Sequence, residues 1–343
     1  MNLHVFRLDK FIPPFMAFCR ERLPDHDNHF HVVDNERDFP YQDGPDSHLQ
    51  TSRLGYLKLF WKMYRARRII LHNLLDIHVV LFLALNPWLL KKCYWVIWGF
   101  DLYLYHQRHA GWKFRANECL RRIVIKHMGY LLTYVPGDVA LARQWYRARG
   151  QHLDCIMYPS NVFTAPDVVA CRTRERRSGL TVQVGNSADP SNNHLQTFEK
   201  LASEGGRGYR VLVPLAYGDA GYAKKVISAG ERLFGEAFHP ITGFMPYPEY
   251  LKMLGDIDIA IFAHDRQQAM GNIVSLLGLG KTVYLKPDIT SAQFLRDQGL
   301  TFRDAHRLAL ETITKQESDR NRELIEAYFS MQRLTFQWQR ILG

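Results

Sequence analysis

From Leu180 onward the chain alternates short, continuously apolar runs with helical segments at a regular beat. LTVQVGN, YRVLVPL, FHPITGFM, DIAIFAH and KTVYLKP read as strands, and Leu195–Ser203, Tyr222–Phe234, Pro248–Leu254, Gln267–Leu279 and Ser291–Arg296 read as the helices between them. A strand that is apolar at every position has no side to turn to water. The sheet is therefore expected to be parallel, with helices covering both faces, which is an α/β architecture.

The first half reads as a second unit of the same kind with less regular connections. Its expected strands are LHVF, HFHVVD, a segment around RRIILHNL, IHVVLFL (Ile77 to Leu83) and YWVIWGF, with a polar loop from Asp34 to Ser52. A chain of 343 residues has room for two such domains. The join is expected in TRERRSG, Thr173 to Gly179, which divides the chain into 1–178 and 179–320. A long amphipathic helix, 321–343, would cross back to the first domain. Two Rossmann-like domains facing each other across a crevice are the expected result.

Charge separates the halves further. Net charge is +10, yet residues 1–178 hold 26 basic and 16 acidic side chains while 179–343 hold 18 of each. Within the first half, 51–126 carries 14 basic against 3 acidic. One surface of the first domain is therefore suited to something anionic. The segment 53–70 concentrates this character: Lys58, Lys62 and Arg65 share a helical strip, Arg67 and Arg68 follow, and Leu54, Leu57, Phe60, Trp61 and Tyr64 group on another side. Cations beside Trp and Tyr suit a helix lying on anionic headgroups, and an ordinary core helix with solvated cations is the competing reading.

Other classes are disfavoured. The five cysteines are widely spaced with no C-x-x-C, which suits reduced thiols better than a disulfide framework or zinc ribbon. MNLHVFRLDKFIPPF has no signal-peptide pattern. The apolar run Val79 to Leu90 carries Asn86 and Pro87 and is too short to span a bilayer. His26, His29 and His31 near Asp25 and Asp27, and the pair Asp256 and Asp258, are weak metal candidates, so no metal is expected. No zinc finger, RNP-type sheet or helix-turn-helix supports nucleic-acid binding.

In open α/β sheets ligands bind beyond the carboxyl ends of the strands. After LTVQV come Gly185, Asn186 and Ser187, with Asn192 and Asn193 ahead of the next helix, a set suited to holding phosphate on backbone amides. The loop lacks both G-x-G-x-x-G and the P-loop pattern, which argues against a dehydrogenase or P-loop enzyme. After DIAIFAH, Arg266, Gln267 and Gln268 precede Met270, Gly271 and Asn272 at a helix start, offering a guanidinium and free amides to a diphosphate. Tyr217 and Gly218 after YRVLVPL, and Met245, Pro246, Tyr247 and Tyr250 after FHPITGFM, are candidates for base contacts. In the first half Asp101 follows YWVIWGF, where it would face the crevice as a base or as a cap. His72 and Asn73, ending RRIILHN, are weaker candidates, a satisfied core histidine being the better reading of His72.

VGNSADPSNNH, PLAYGDAGYA, FMPYPEYLKML and above all RQQAMGNIVSLLGLGKTVYLK, joined by NPWLLKK and WVIWGFDLY, resemble the transferases that add 4-acetamido-4,6-dideoxygalactose (Fuc4NAc) in enterobacterial common antigen synthesis. The resemblance covers most of the chain. It implies a GT-B fold, a dTDP-sugar donor, an undecaprenyl-diphosphate acceptor bearing GlcNAc and ManNAcA, and a peripheral enzyme at the cytoplasmic face of the bacterial inner membrane. No resident cofactor or metal is implied. An α-linked product from an α-linked donor would mean retention, with Asp101 orienting the acceptor. Many GT-B enzymes carry a Glu-x7-Glu pair, and none occurs here after residue 180. Stabilising the leaving group would then fall to Arg266 and helix amides. A nucleotide-sugar epimerase of the same fold and a non-catalytic membrane-surface protein are the alternatives.

Overall fold

The structure, a computed structural model, describes residues 1–34, 41, 43–50, 52, 54–106, 111–163, 179–203, 208–243 and 245–343. The chain divides into two compact units, Met1–Val162 with Met331–Gly343, and Phe163–Ser330. The expected division at 178/179 thus moves to Val162/Phe163. The charged stretch 173–177 that motivated it lies outside the described residues.

The first unit is built on seven parallel strands: β1 (Asn2–Arg7), β2 (Asn28–Asp34), β3 (Ser47–Leu49), β4 (Arg68–Leu71), β5 (Cys93–Val96), β6 (Tyr130–Leu132) and β7 (Gln151–Leu153). They lie in the order β3-β2-β1-β4-β5-β6-β7. The second unit has β8 (Leu180–Val184), β9 (Tyr209–Pro214), β10 (Phe238–Ile241), β11 (Ile259–Phe262), β12 (Thr282–Leu285) and β13 (Arg303–Asp304), ordered β10-β9-β8-β11-β12-β13 and also parallel. Both are doubly wound, Rossmann-like sheets. In each the strand order reverses beside the first strand, so the ends of β1 and β4, and of β8 and β11, frame the places where such folds take ligands.

The apolar runs behave as their composition dictates: every residue of β5, β11 and β12 is buried. Helices Gly55–Arg65 and Trp112–His127 bring Leu59, Met63, Val124 and Ile125 into the core that Leu3, Val5 and Ile69 share. In the second unit Phe198, Val226 and Phe238 close on Val182, Val211 and Ile259.

Two expectations are corrected. Ile77 to Leu83 is not a strand but part of a helix, Ile77–Leu85, whose start is capped by Asp76 accepting the Val79 amide at 2.9 Å. Val79, Val80 and Leu83 face inward while Leu81 and Leu85 are exposed. A run whose one polar residue, His78, stands at its start shows no readable period, so its conformation could not be read from it. The C-terminal segment is two helices rather than one. Lys315–Tyr328 starts with a capping box between Thr314 and Glu317 and belongs to the second unit; Met331–Leu342 belongs to the first. There Trp338 is fully buried and donates to the Met157 carbonyl at 2.9 Å, and Gln337 accepts the Ile156 amide at 2.8 Å.

Candidate functional site

At the ends of β8 and β11 the two loops singled out by sequence meet. Gly185 leaves β8 with φ +68°, and a Cβ there would come within 2.4 Å of His194 Nε2 and 2.8 Å of Asn192 Oδ1, so only glycine fits. Asn192 Oδ1 accepts the Asn186 amide and His264 Nε2, each at 2.9 Å. His264 is therefore the Nε2–H tautomer, with Nδ1 a bare acceptor that is buried and unpartnered. Burial, reinforced by the Arg266 charge, pushes its pKa down to about 3, so the ring stays neutral.

Asn186 Nδ2 donates to Tyr217 Oη at 3.0 Å, and Gln268 Nε2 donates to Asn186 Oδ1 at 3.1 Å. Ser191 Oγ completes this chain by donating to Gln268 Oε1 at 2.8 Å. Gly218, at φ +119°, brings the β9 loop against the backbone of Ala188, which accepts the Asp219 amide and donates to the Tyr217 carbonyl. Asn193, itself left-handed, donates to Ala263 O and Asp265. Gly185, Asn186, Ser187, Asn192, Asn193, Tyr217, Gly218 and Gln268 thus form one connected cluster from three strand ends.

Arg266 joins it through Asp189, with Nη2 3.3 Å from Oδ2. Lys286, at the end of β12, pairs with Asp265. The positive charges are neutralised within the cluster, so an incoming diphosphate would exchange with Asp189 for Arg266. Beside Arg266 the helix Met270–Gly278 begins after Ala269, a left-handed residue that provides no side-chain cap. The amides of its first turn, which includes Gly271 and Asn272, belong to an uncapped helix start, where backbone donors and the dipole favour an anion. Met270 itself is buried. Gln267 is also buried, and its Oε1 has no partner.

Met245, Pro246 and Tyr250 stand at the far edge, where Pro246 starts the helix Tyr247–Gly255 after β10. The Tyr247 side chain and Phe244 lie outside the described residues. Sequence reasoning passed over His194, whose two ring nitrogens are buried without partners beside Gly185. Its signal was only its place before an apolar helix.

Asp101 does not face open space, which corrects its expected position. It is fully buried in the first unit, accepting Trp95 Nε1 at 2.7 Å, the Leu74 amide at 3.2 Å and the Trp98 amide at 3.1 Å. Burial raises its pKa against the opposing effects of Arg121 and those donors. His72 is also internal: Trp98 Nε1 donates to Tyr158 Oη at 2.7 Å, Tyr158 lies 2.7 Å from His72 Nδ1, and His72 Nε2 lies 3.0 Å from His4 Nδ1.

The basic segment divides. Helix Gly55–Arg65 turns Leu59 and Met63 inward and leaves Leu57, Trp61 and Tyr64 exposed, with Trp61 58% accessible. Lys58 and Arg65 are exposed, Lys62 is half-buried, and the Arg65 guanidinium lies 4.6 Å from the Trp61 ring centre. Arg67 and Arg68 are beyond the helix. Arg67 is exposed, whereas Arg68 is a β4 residue whose guanidinium reaches Asn2. Phe60 stacks on Phe82 at 3.9 Å, which sets helix Ile77–Leu85 beside the first, and Leu81, Leu85 and Trp88 extend the exposed apolar surface. No helix among the described residues is long and apolar enough to cross a membrane.

Solved structures share this fold at low identity. Sucrose-phosphate synthase from Thermosynechococcus elongatus is 12% identical, with TM-score 0.69 and coverage of 99% of this chain and 98% of that one. Anabaena HepE, solved with UDP and glucose, is 12% identical at TM-score 0.66, covering 100% and 99%. WaaG, described as a glycosyltransferase involved in lipopolysaccharide biosynthesis, is 13% identical at TM-score 0.62, covering 99% and 98%. The two Rossmann-like domains are those of a GT-B glycosyltransferase. Residues 22–342 match the model of glycosyl transferase group 56, 4-alpha-L-fucosyltransferase, and the chain belongs to that family of glycosyltransferases.

Proposed function

We propose that this glycosyltransferase moves Fuc4NAc from dTDP-Fuc4NAc to an undecaprenyl-diphosphate-linked GlcNAc-ManNAcA disaccharide, working at the cytoplasmic face of an anionic inner membrane. The observation that carries the donor half is Arg266 beside the uncapped start of helix Met270–Gly278, at the strand-order reversal of the second sheet. That arrangement meets the diphosphate of a nucleotide sugar without requiring a metal. Tyr217, Met245, Pro246, Tyr247 and Tyr250, at the ends of β9 and β10, are assigned to the nucleoside on the same reading.

The first unit is assigned to the lipid-linked acceptor. Support comes from its charge excess and from the two-helix surface of Leu57, Trp61, Leu81, Leu85 and Trp88 with Lys58 and Arg65 beside it. Apolar side chains that enter the headgroup region and cations that meet anionic lipid are the two contributions peripheral attachment needs.

The deciding experiment is a transfer assay with dTDP-Fuc4NAc and the lipid-linked disaccharide, with the product identified by mass. An L-fucosyl donor runs in parallel, and the donor is also incubated without acceptor. Addition of one Fuc4NAc residue is the expected result. Transfer of L-fucose alone would replace the donor assignment, and isomerised donor in the acceptor-free arm would favour an epimerase.

A further inference from the structure

The first sheet has its own strand-order reversal, between β1 and β4, and a small notch opens there. Phe6 and Arg7 from β1, Val33 from β2, and Asn73, Asp76 and Val79 from the segment after β4 line it. Its free space is about 10 Å³, enough for a single oxygen-sized group.

Three observations converge on Asn73. Its φ is 133°, beyond the left-handed region that asparagine tolerates and in territory that glycine occupies. Its Oδ1 is engaged, accepting the Leu75 amide at 3.2 Å, which fixes the amide orientation and makes the other terminal atom a donor. That donor, Nδ2, is buried and has no partner, although the residue is only 9% exposed. A strained backbone that delivers an unsatisfied buried donor to a strand end is costly unless something uses the donor.

The strain is held from outside the turn. Leu74, the next residue, has its amide on Asp101 Oδ2 and its carbonyl on Arg121 Nη1, and Asp76 caps the helix that follows. Leu74 is therefore clamped at both its N–H and its C=O by buried charged groups, one on each of the two peptides that follow Asn73.

We propose that Asn73 is a ligand-binding residue whose Nδ2 donates to a hydroxyl oxygen of the carbohydrate that receives the transferred sugar. The inference rests on reading the first unit as the acceptor half. A hydroxyl fits the notch because it can accept from Asn73 and donate toward the Asp76 carboxylate, whose oxygens also accept the Val79 amide and the Tyr56 hydroxyl. Asp101 then acts as a positioning residue, through Leu74.

The test compares wild type with Asn73→Gly and Asn73→Asp, titrating a short-chain prenyl-diphosphate GlcNAc-ManNAcA into each full-length protein by calorimetry. Asn73→Gly suits φ 133° and removes only the side chain, so its Tm is expected to be unchanged or higher. Asn73→Asp keeps the acceptor for Leu75 and replaces the donor with a lone pair. Acceptor binding at least tenfold weaker in both, with dTDP affinity unchanged, is the expected result. Equal binding by wild type and Asn73→Gly would mean that the notch holds an ordered water only and would overturn the proposal, as would absence of binding to wild type. Weakened binding in both variants, in a wild-type protein that transfers no Fuc4NAc, would leave the subsite standing and remove the functional reading instead.

Discussion

Asp101 and Leu74 are joined by a buried hydrogen bond, Leu74 N to Asp101 Oδ2 at 3.2 Å, while Arg121 takes the Leu74 carbonyl and also donates to the Asp101 carbonyl. A carboxylate that a strand-end position suggested as a base is thus a fastener of the turn after β4. Its three N–H donors leave little of its chemistry for a substrate.

Replacing Asp101 with alanine is expected to destabilise the first unit by roughly 3–5 kcal/mol, since it strands three buried donors, Trp95 Nε1 and the Leu74 and Trp98 amides. Chemical denaturation of the full chain measures this. A variant as stable as wild type would contradict this fastening role.

Arg266→Ala is expected to weaken dTDP binding by about 10- to 100-fold, the contribution of a charge-assisted hydrogen bond set of about 1.5–3 kcal/mol. Calorimetry reads it, and unchanged affinity would remove Arg266 from the diphosphate site.

Gly185→Ala forces a Cβ into His194 and Asn192 at a positive φ. Displacing Asn192 releases both the Asn186 amide and His264, so donor binding should be lost along with roughly 1–3 kcal/mol of stability. A variant that melts and binds dTDP like wild type would contradict the tight packing around this glycine.

The paired change Trp61→Ser and Leu85→Ser removes two exposed side chains, 58% and 69% accessible, from adjacent helices. The fold should be unaffected, while co-sedimentation with phosphatidylglycerol vesicles falls at least tenfold. Raising salt should weaken wild-type attachment as well, because exposed cations are screened. Vesicle binding equal to wild type would place the attachment surface elsewhere.

Stability should decline in mild acid. Burial holds the folded-state pKa of His4 near 3 and those of His31 and His194 near 4, against 6.5 for the free side chain. Between these values the unfolded chain binds protons that the native rings refuse, so stability is full above about pH 6.5 and falls as pH drops toward 4. Denaturation midpoints at pH 7.5, 6 and 5 test this. A flat profile would mean that the rings accept protons inside the fold.

Much of the second unit was legible because its signals are local. Continuous apolar strands, a glycine straight after Val184 and an arginine ahead of a helix start are all contained within a few residues. The first unit was harder. β3, β6 and β7 are three residues each, too short to show a period. The run at 77–85 is apolar on both its core and exposed faces, so neither helical nor strand alternation appears in it. The outcome for Asp101 depended on Arg121, Leu74 and Trp95, which no sequence spacing connects to it.

The amino-acid sequence by itself determined the doubly wound class, the split of charge between halves and the loops that carry Gly185 and Arg266, because alternation, composition and turn chemistry act over short stretches. Only the tertiary structure decided that the returning segment is a separate helix, Met331–Leu342, that Leu57, Trp61 and Leu85 face outward, and that Asp101 is buried while Asn73 is left with a free donor. Burial and hydrogen-bond satisfaction are properties of residues distant in the chain and adjacent in space. Asp101 becomes a buried acceptor because three donors close over it.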